Sequence, residues 1–402
     1  MEKKYKLMVF ALSGVPFIMV LGNSMLIPEF PQIKSALNIS QFQVGLLITV
    51  FSISAGVSIP LLGYICDRVG RLKVIIPSLL IYGAGGIICG LAALFMKKPY
   101  NIILLGRVVQ GIGAAGTAPI AMALIGDIFQ SKQRTEVLGI IEAANGIGKV
   151  TSPILGSALG LISWIVLFFF YAFLAIPIAA GVYFFGEDKI PENNNSLTEY
   201  INNVAQIFKK RGFSLIATIL AGMIILFTLF GFLAYFSDIL ETKYEIKGII
   251  KGLVIAIPII FMSGTSFLNG KLLKKINKYY KMSIIIGLSL ITITLILFNF
   301  CNNFILYMSL FSILGIGAGL ILPAVNTLVT SSTAAKQRGA ITSLYGGARF
   351  VGVAIGPPVF SYLLEIKEIF MYYGAASSTL LVLILGLIFI KEKGMIPEKN
   401  SG

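Results

Sequence analysis

The feature that most constrains the fold of this sequence is a series of long apolar runs separated by short polar segments. Of the 402 residues, 57% are hydrophobic and 12% are charged, which is about half the charged fraction of a soluble domain. A helix needs ~20 apolar residues to cross a bilayer. The sequence therefore predicts an all-α polytopic membrane protein with twelve transmembrane helices. The predicted spans are 7–30, 43–62, 74–95, 101–127, 137–160, 163–185, 213–236, 249–269, 283–300, 304–330, 340–363 and 369–390.

The basic residues are distributed unevenly between the predicted loops. The net charge of +15, taken alone, would be compatible with nucleic-acid binding. With twelve spans, however, both termini lie on one side, and that side holds 22 of the 32 basic residues against 7 in the opposite loops. The positive-inside rule makes this side cytoplasmic. The basic composition thus indicates membrane topology and contact with anionic lipid, and we expect no nucleic-acid partner.

The sequence lacks the residues and motifs that several kinds of site require. The chain has no histidine, and its three cysteines, Cys66, Cys89 and Cys301, lack the spacing of a metal site or disulfide framework. No G-x-x-x-x-G-K-[ST] loop indicates nucleotide binding, and no acid pair or nucleophile constellation indicates an enzyme. We therefore expect no enzyme activity, no cofactor and no metal. Any proton relay has to use carboxyl groups.

A polar segment at 186–212 divides the spans into two sets of six. Its asparagine run predicts a cytoplasmic linker, and the sparse apolar pattern that follows suits an amphipathic helix on the membrane surface. The predicted domains are therefore an N-terminal six-helix bundle at 1–185, this linker, a C-terminal six-helix bundle at 213–391 and a cytoplasmic tail at 392–402.

The two sets of spans are related by an internal repeat. A shift of 204 residues aligns Gly111–Ala114 with Gly315–Ala318, and Lys132–Arg134 with Lys336–Arg338. A shared offset that includes a charged loop is not expected by chance in an apolar chain. Two parallel six-span repeats are typical of one class of transporter, in which the substrate site lies near the midplane between the repeats. The sequence thus predicts two pseudo-symmetric six-helix bundles.

Three motifs carry a family resemblance. The segment Gly63–Lys73 is similar to a G-x-x-x-D-R-x-G-R-[KR] signature between spans two and three, and Arg107–Ala115 in span four is similar to R-x-x-Q-G-x-G-A-A. In span five, Gly139–Ser157 is similar to G-x8-G-x3-G-P-x2-G-G, with two glycines replaced by serine. With these motifs the chain resembles the major facilitator superfamily, and within it the twelve-span drug:proton antiporters.

The resemblance implies a secondary transporter that exports a small amphipathic drug or metabolite in exchange for protons by alternating access. The two serines in span five weaken the inference of export, so a proton-coupled importer of a small organic solute with the same fold is the alternative. The expected partners are a small-molecule substrate, protons and the lipid bilayer. We expect a monomer in the cytoplasmic membrane.

The charged segment Gly63–Lys73 lies at the cytoplasmic end of span two. The resemblance implies that Asp67, Arg71 and Asp127 form a latch between the two halves that closes the inner gate. The alternative is that Asp67 is a solvated loop carboxylate. The second half has lysines in place of the acid, so the latch can form in one repeat only. The other residues assigned to this gating loop are Gly63, Arg68, Gly70 and Lys73.

Ionisable residues within membrane spans are costly and are therefore functional candidates. Glu142, Asn145 and Lys149 fall within one arc of span five, because seven residues nearly complete two helical turns. In one interpretation Glu142 binds and releases the coupling proton, while Lys149 adjusts the pKa of Glu142 or binds substrate. The alternative is a buried ion network that only holds helices together.

Two further cations and one further acid complete the candidates. Arg107 precedes Gln110 by one turn in span four, and the resemblance implies that this arginine helps to couple protons; an arginine satisfied by backbone carbonyls is the alternative. Arg349 follows Tyr345 by one turn in span eleven. Glu29 is either a pocket acid or a solvated helix end, and we favour the solvated end. Three cations against one clear acid at membrane depth favour an anionic, zwitterionic or neutral substrate.

The glycines of spans four and ten predict close helix packing. Glycine and proline also mark places where spans five and eleven can bend. The residues assigned to bending are Gly148, Pro153, Gly156, Gly352, Gly356 and Pro357.

Overall fold

The structure, a computed structural model, describes residues 3–129, 131–188, 197–276, 278–301, 303–333, 338–393 and 395. Within these ranges it contains fourteen α-helices and two short 3-10 helices, and no strand. The asparagine run of the predicted linker lies within 189–196, outside the described residues. Of the predicted tail at 392–402, residues 394 and 396–402 also lie outside them. The α-helices are α1 (Lys3–Ser24), α2 (Phe30–Leu37), α3 (Gln41–Val69), α4 (Leu72–Phe95), α5 (Tyr100–Ala115), α6 (Ala118–Ile128), α7 (Ser131–Gly160), α8 (Trp164–Phe185), α9 (Leu197–Thr242), α10 (Gly248–Ile276), α11 (Tyr280–Leu297), α12 (Phe304–Ser331), α13 (Arg338–Ile366) and α14 (Glu368–Phe389).

Polar side chains define where several helices begin. At the start of α3, Ser40 Oγ accepts a hydrogen bond from the Gln43 backbone N–H at 3.1 Å, and Gln43 Oε1 accepts one from the Ser40 N–H at 2.9 Å. This reciprocal cap satisfies two N–H groups that lack partners within the helix. Ser163 and Asn303 cap α8 and α12 through their side-chain oxygens. The sequence therefore stops and restarts the helices within loops of a few residues.

The helices account for the predicted spans. Eleven helical stretches of the described chain are long and apolar enough to cross a membrane, counting α1 with α2 and α5 with α6 as one stretch each. Helix α7 is also long enough, with 30 residues, but it carries Glu142, Asn145 and Lys149 and is less apolar. With α7, the structure confirms an all-α polytopic membrane fold.

Contacts group the chain into two compact units. The first consists of Met1–Asn195 together with Phe236–Ala256, and the second of Ser196–Tyr235 together with Ile257–Gly402. Residues at the end of α9 and the start of α10 therefore have most of their contacts within the first unit. Helix α9 starts at Leu197, in the segment where we predicted a surface helix, and its backbone leaves helical geometry at Arg211.

Two glycines at equivalent positions of the repeat, one in each unit, allow helices to approach closely. In the first unit, a Cβ on Gly111 of α5 would lie 2.2 Å from the Phe51 carbonyl oxygen of α3. In the second unit, a Cβ on Gly315 of α12 would lie 2.2 Å from the Pro258 carbonyl oxygen of α10. No side chain fits at either position, so both glycines allow backbones to touch. This equivalence gives a physical basis to the internal repeat.

The glycines assigned to helix bending also lie at close approaches. A Cβ on Gly148 of α7 would lie 3.2 Å from the Phe17 carbonyl oxygen of α1, and a Cβ on Gly352 of α13 would lie 2.3 Å from the Met223 carbonyl oxygen of α9. The observed role of these glycines is packing, and bending stays a prediction. The other residues of this set lie within continuous α7 or α13: Pro153, Gly156, Gly356 and Pro357.

Candidate functional site

The charged segment after the second span is mostly the end of a helix. Helix α3 continues to Val69, and α4 begins at Leu72. The eleven-residue turn predicted from Gly63 to Lys73 is therefore wrong, because its charged residues extend the helix. Only Gly70 and Arg71 form the connection, and Gly70 has φ +106°, a conformation that glycine adopts without strain.

Arg71 connects two carboxylates of the first unit. Its Nη1 atom lies 2.9 Å from Asp67 Oδ1, one helical turn earlier, and its Nε atom lies 2.7 Å from Asp127 Oδ2 at the end of α6. The structure thus brings together the three residues that the resemblance assigned to the latch. Paired guanidinium and carboxylate groups of this kind form charge-assisted hydrogen bonds.

A third carboxylate fixes the start of α4. Asp188 accepts hydrogen bonds from the backbone N–H groups of Arg71 and Leu72, both at 3.1 Å. A carboxylate at this position satisfies unpaired N–H groups and complements the helix dipole. A Cβ on Gly70 would lie 2.5 Å from Asp188 Oδ2, so the glycine also makes room for the acid. We did not predict this role of Asp188; the signal was an acid directly after span six.

The remaining basic residues of the segment point elsewhere. The Arg68 guanidinium lies 5.0 Å from the centre of the Tyr64 ring, and Lys73 is exposed. Burial lowers the pKa of the Arg71 guanidinium, but its hydrogen bond to Asp127 and the nearby carboxylates outweigh burial, so the pKa lies above its usual value. Arg71 therefore stays cationic beside its two carboxylate partners.

Arg107 is fully buried in the first unit. Its Nε and Nη2 atoms donate hydrogen bonds to the carbonyl oxygens of Leu47 and Gly22, at 2.9 and 2.8 Å. Its Nη1 atom donates to Gln110 Oε1 at 2.6 Å, and its guanidinium lies 4.2 Å from the centre of the Phe51 ring. None of these partners is a carboxylate. The geometry matches the alternative in which carbonyl groups satisfy this arginine.

The polar arc of α7 is only partly buried. Glu142 is exposed, whereas Asn145 and Lys149 are half-buried. The Asn145 Oδ1 atom is buried and has no hydrogen-bond partner within the part of the chain that the structure describes. A buried acceptor without a partner is costly, so this amide oxygen is available for a donor from a bound molecule.

Arg349 and Tyr345 form a similar pair in the second unit. The Arg349 guanidinium lies 5.6 Å from the centre of the Tyr345 ring. Both the Arg349 Nε atom and the Tyr345 hydroxyl are buried, and neither has a hydrogen-bond partner among the described residues. Gly222 leaves the space for the phenol, since a Cβ there would lie 2.6 Å from the hydroxyl oxygen. Two unpaired donors one helical turn apart can bind an anionic group.

Glu29 is a buried acid between α1 and α2, at the C-terminal side of the first span. Our preference for a solvated helix end is wrong, because the residue is 2% exposed. Nearby, Lys251 is also 2% exposed, and its Nζ atom donates to Glu241 Oε2 at 2.9 Å. Lys251 was not among the predicted site residues, although it lies within the predicted span 249–269. That position was the available signal.

A cavity of 490 Å³ in the first unit lies apart from these groups. Its lining comes from α1, α7 and α8 and contains no ionisable side chain. Phe10 and Ile147, for example, line the cavity and are largely exposed. Apolar exposed surface of this kind is expected where a membrane protein meets lipid.

Comparisons with known proteins give the same family as the motifs. A family model described as Major Facilitator Superfamily matches residues 12–357, with a second match at 278–401. The chain is 41% identical over 397 residues to the Bacillibactin exporter of Bacillus subtilis (strain 168), covering 98% of this chain and 99% of the relative. It is 26% identical over 396 residues to Multidrug resistance protein 2 of the same strain, covering 96% and 95%.

Solved structures agree with the fold. The crystal structure of a D-xylose-proton symporter has a TM-score of 0.79 with this chain at 14% sequence identity, and the match covers 98% of this chain and 99% of the symporter. At this identity the likeness concerns the fold alone. From the family model and the full-length relatives, the chain belongs to the Major Facilitator Superfamily and is a multi-pass membrane transporter of small molecules.

Proposed function

We propose that this transporter exports a small amphipathic compound across the cytoplasmic membrane in exchange for protons, by alternating access. The observation that carries the proposal is the 41% identity, over nearly the whole chain, to a protein named as an exporter. The first compound to test is therefore bacillibactin. Both termini lie in the cytoplasm, in agreement with the distribution of basic residues, and the transporter acts as a monomer.

The substrate carries an anionic or other electron-rich group. Arg349 supports this assignment, because its buried Nε donor and the Tyr345 hydroxyl have no hydrogen-bond partner in the described chain. An arginine at membrane depth is retained at a cost, and such residues mark substrate or ion pathways. Within the first unit, Lys149 and Asn145 are the polar candidates of α7, and Arg107 with Gln110 supports the fold of that unit.

The Asp67–Arg71–Asp127 network controls conformational change on the cytoplasmic side. It ties the ends of α3 and α6 together through one cation. Asp188 holds the start of α4 against the same connection. A network with several charge-assisted hydrogen bonds has discrete made and broken states, as a gate requires.

The exchange needs a carboxyl group that binds and releases protons. Glu142 and Glu29 are the two candidates. They differ in environment, because Glu142 is exposed and Glu29 is buried.

Transport into proteoliposomes with an imposed pH gradient tests the proposal. Bacillibactin and a panel of anionic, neutral and cationic dyes are offered outside vesicles whose interior is acidic. Antiport predicts accumulation of substrate in exchange for outward-moving protons, with anionic compounds preferred. Accumulation only when the gradient is reversed would instead indicate import by symport, the alternative function.

A further inference from the structure

Glu29 is held in a site built around its carboxyl group. The side chain is 2% exposed, and its Oε2 atom has no hydrogen-bond partner in the described part of the chain. Gly160, at the end of α7, provides the space: a Cβ there would lie 2.1 Å from Glu29 Cδ and 2.3 and 2.4 Å from its two oxygens. The backbone of α7 therefore approaches the carboxyl group closely and shields it from solvent.

The charged groups around Glu29 come from three segments. Lys251 of α10 and Glu241 of α9 are both close enough to act on it electrostatically. Further out, Asp238 of α9 lies 3.7 Å from the ammonium group of Lys34 on α2, measured from Oδ1 to Nζ. Gly160 of α7, which packs closely against the carboxyl group, has no charge. All of these residues belong to the first unit.

The charges of Glu29, Glu241 and Lys251 do not balance when all three side chains are ionised. Glu29 and Glu241 are two carboxylates, and Lys251 is their shared cation. The Lys251 Nζ atom donates to Glu241 Oε2 at 2.9 Å, so Glu241 has a partner, whereas Glu29 Oε2 has none among the residues that the structure describes. A buried, unpaired carboxylate is far more costly than a neutral carboxylic acid. One proton on Glu29 removes the excess charge.

We propose that Glu29 is the carboxyl group that binds and releases the transported proton, and that Lys251 moves from Glu241 to Glu29 when the proton leaves. This assignment rests on the proposed proton exchange. The step makes and breaks one O–H bond: the proton comes from water on one side of the membrane and returns to water on the other. Without its proton, Glu29 attracts the buried ammonium group, and Glu241, which is less buried, is solvated instead.

The proton site at Glu29 is connected to the segment 236–256. Glu29 ends the 3-10 turn Ile27–Glu29, and the Ile27 carbonyl oxygen accepts a hydrogen bond from Ser237 Oγ at 2.7 Å. Lys251 and Ser237 both lie in the segment 236–256, whose contacts place it in the first unit. A change of partner by Lys251 therefore alters how this segment is held. Proton release and conformational change are coupled through the same few residues.

Two measurements on reconstituted full-length protein test the assignment. The first compares uptake driven by a pH gradient with substrate counterflow at equal pH, using bacillibactin or the dye that wild type transports. We expect Glu29→Gln to keep counterflow and to lose the response to the gradient, and Glu29→Asp to regain part of it. The matched control is Glu245→Gln, an acid of the exposed loop between α9 and α10, which should respond like wild type.

The second measurement needs no substrate. Infrared difference spectra recorded during a pH titration should show the carbonyl band of a protonated carboxyl group in wild type and in Glu245→Gln, and lose it in Glu29→Gln. A wild type that ignores the gradient would overturn the proposed antiport itself. A wild type that responds, together with an unchanged response or band in Glu29→Gln, would overturn the assignment of Glu29 alone. Loss of the response in Glu142→Gln but not in Glu29→Gln would move the proton site to α7.

Discussion

The Arg71 Nε atom lies 2.7 Å from Asp127 Oδ2, although the two residues are 56 positions apart in the chain. The same guanidinium pairs with Asp67 one helical turn before it. One cation therefore ties the C-terminal ends of α3 and α6 together, in the segment whose motif first indicated the family. Half-exposed ion pairs contribute little to stability, so the main effect expected of this network is on conformational change.

Asp67→Asn removes one charge from this network and should slow transport without reducing expression. The amide is nearly isosteric but carries no negative charge, so its hydrogen bond with the Arg71 cation is weaker than that of the carboxylate. Turnover in proteoliposomes and the amount of protein in membranes are both measured. The matched control is Glu136→Gln, an exposed acid on α7. Wild-type turnover by Asp67→Asn would refute a gating role.

Arg107→Lys should destabilise the protein although it keeps the positive charge. A lysine cannot donate at once to the carbonyl groups of Leu47 and Gly22 and to Gln110, as the guanidinium does. Each buried carbonyl left without a partner costs ~1–3 kcal/mol. The melting temperature in detergent should therefore fall, together with transport. Unchanged stability combined with loss of proton coupling would instead support the coupling role implied by the family resemblance.

Gly111→Ala and Gly315→Ala should each reduce the yield of folded protein. The added Cβ would lie 2.2 Å from a backbone carbonyl oxygen in both cases, and overpacking typically costs ~1–3 kcal/mol. The control is Gly139→Ala in α7, because a Cβ at Gly139 meets nothing within 4 Å. Monodispersity on size-exclusion chromatography measures the effect. Tolerance of alanine at Gly111 or Gly315 would show that the helices do not approach as described.

Arg349→Gln should weaken binding of anionic substrates more than that of neutral ones. The change removes a half-buried cation whose buried Nε has no partner among the described residues, and Tyr345→Phe should have a smaller effect in the same direction. The ratio of KM values for an anionic and a neutral substrate is measured for each variant. An equal increase for both substrates would indicate that Arg349 acts on the fold and not on substrate charge.

A green fluorescent protein fused after Gly402 should fluoresce, and alkaline phosphatase at the same position should be inactive. The excess of basic residues on the side of the termini places that side in the cytoplasm. Fusions after Lys98, in the loop between α4 and α5, should give the opposite pattern. The same pattern at both sites would contradict the topology.

The sequence predicted those features that depend on composition and on local spacing. Long apolar runs located the helices, and the shared offset of Gly111 and Gly315 predicted a repeat whose two glycines indeed have the same packing role. Spacing also predicted correctly that Tyr345 lies next to Arg349, since residues one turn apart on a helix are neighbours.

Features that depend on contacts between distant segments were missed. Asp188 reaches the start of α4 across 117 positions, and no local pattern predicts this. Glu29 is polar and lies between two prolines, which suggested a solvated end; its burial follows from the approach of Gly160 in α7. Lys251 was not predicted as a site residue, because its burial beside Glu241 cannot be read from local spacing.

The most direct test of the proposed antiport is to record proton movement caused by substrate alone. Vesicles that contain the transporter and a pH-sensitive dye are prepared without a gradient, and bacillibactin is added outside. Exchange predicts that substrate entry drives protons out, so that the interior becomes alkaline, and that vesicles without protein show no change. Acidification of the interior would mean that substrate and protons move together, and an unchanged interior pH during substrate entry would mean that protons are not exchanged.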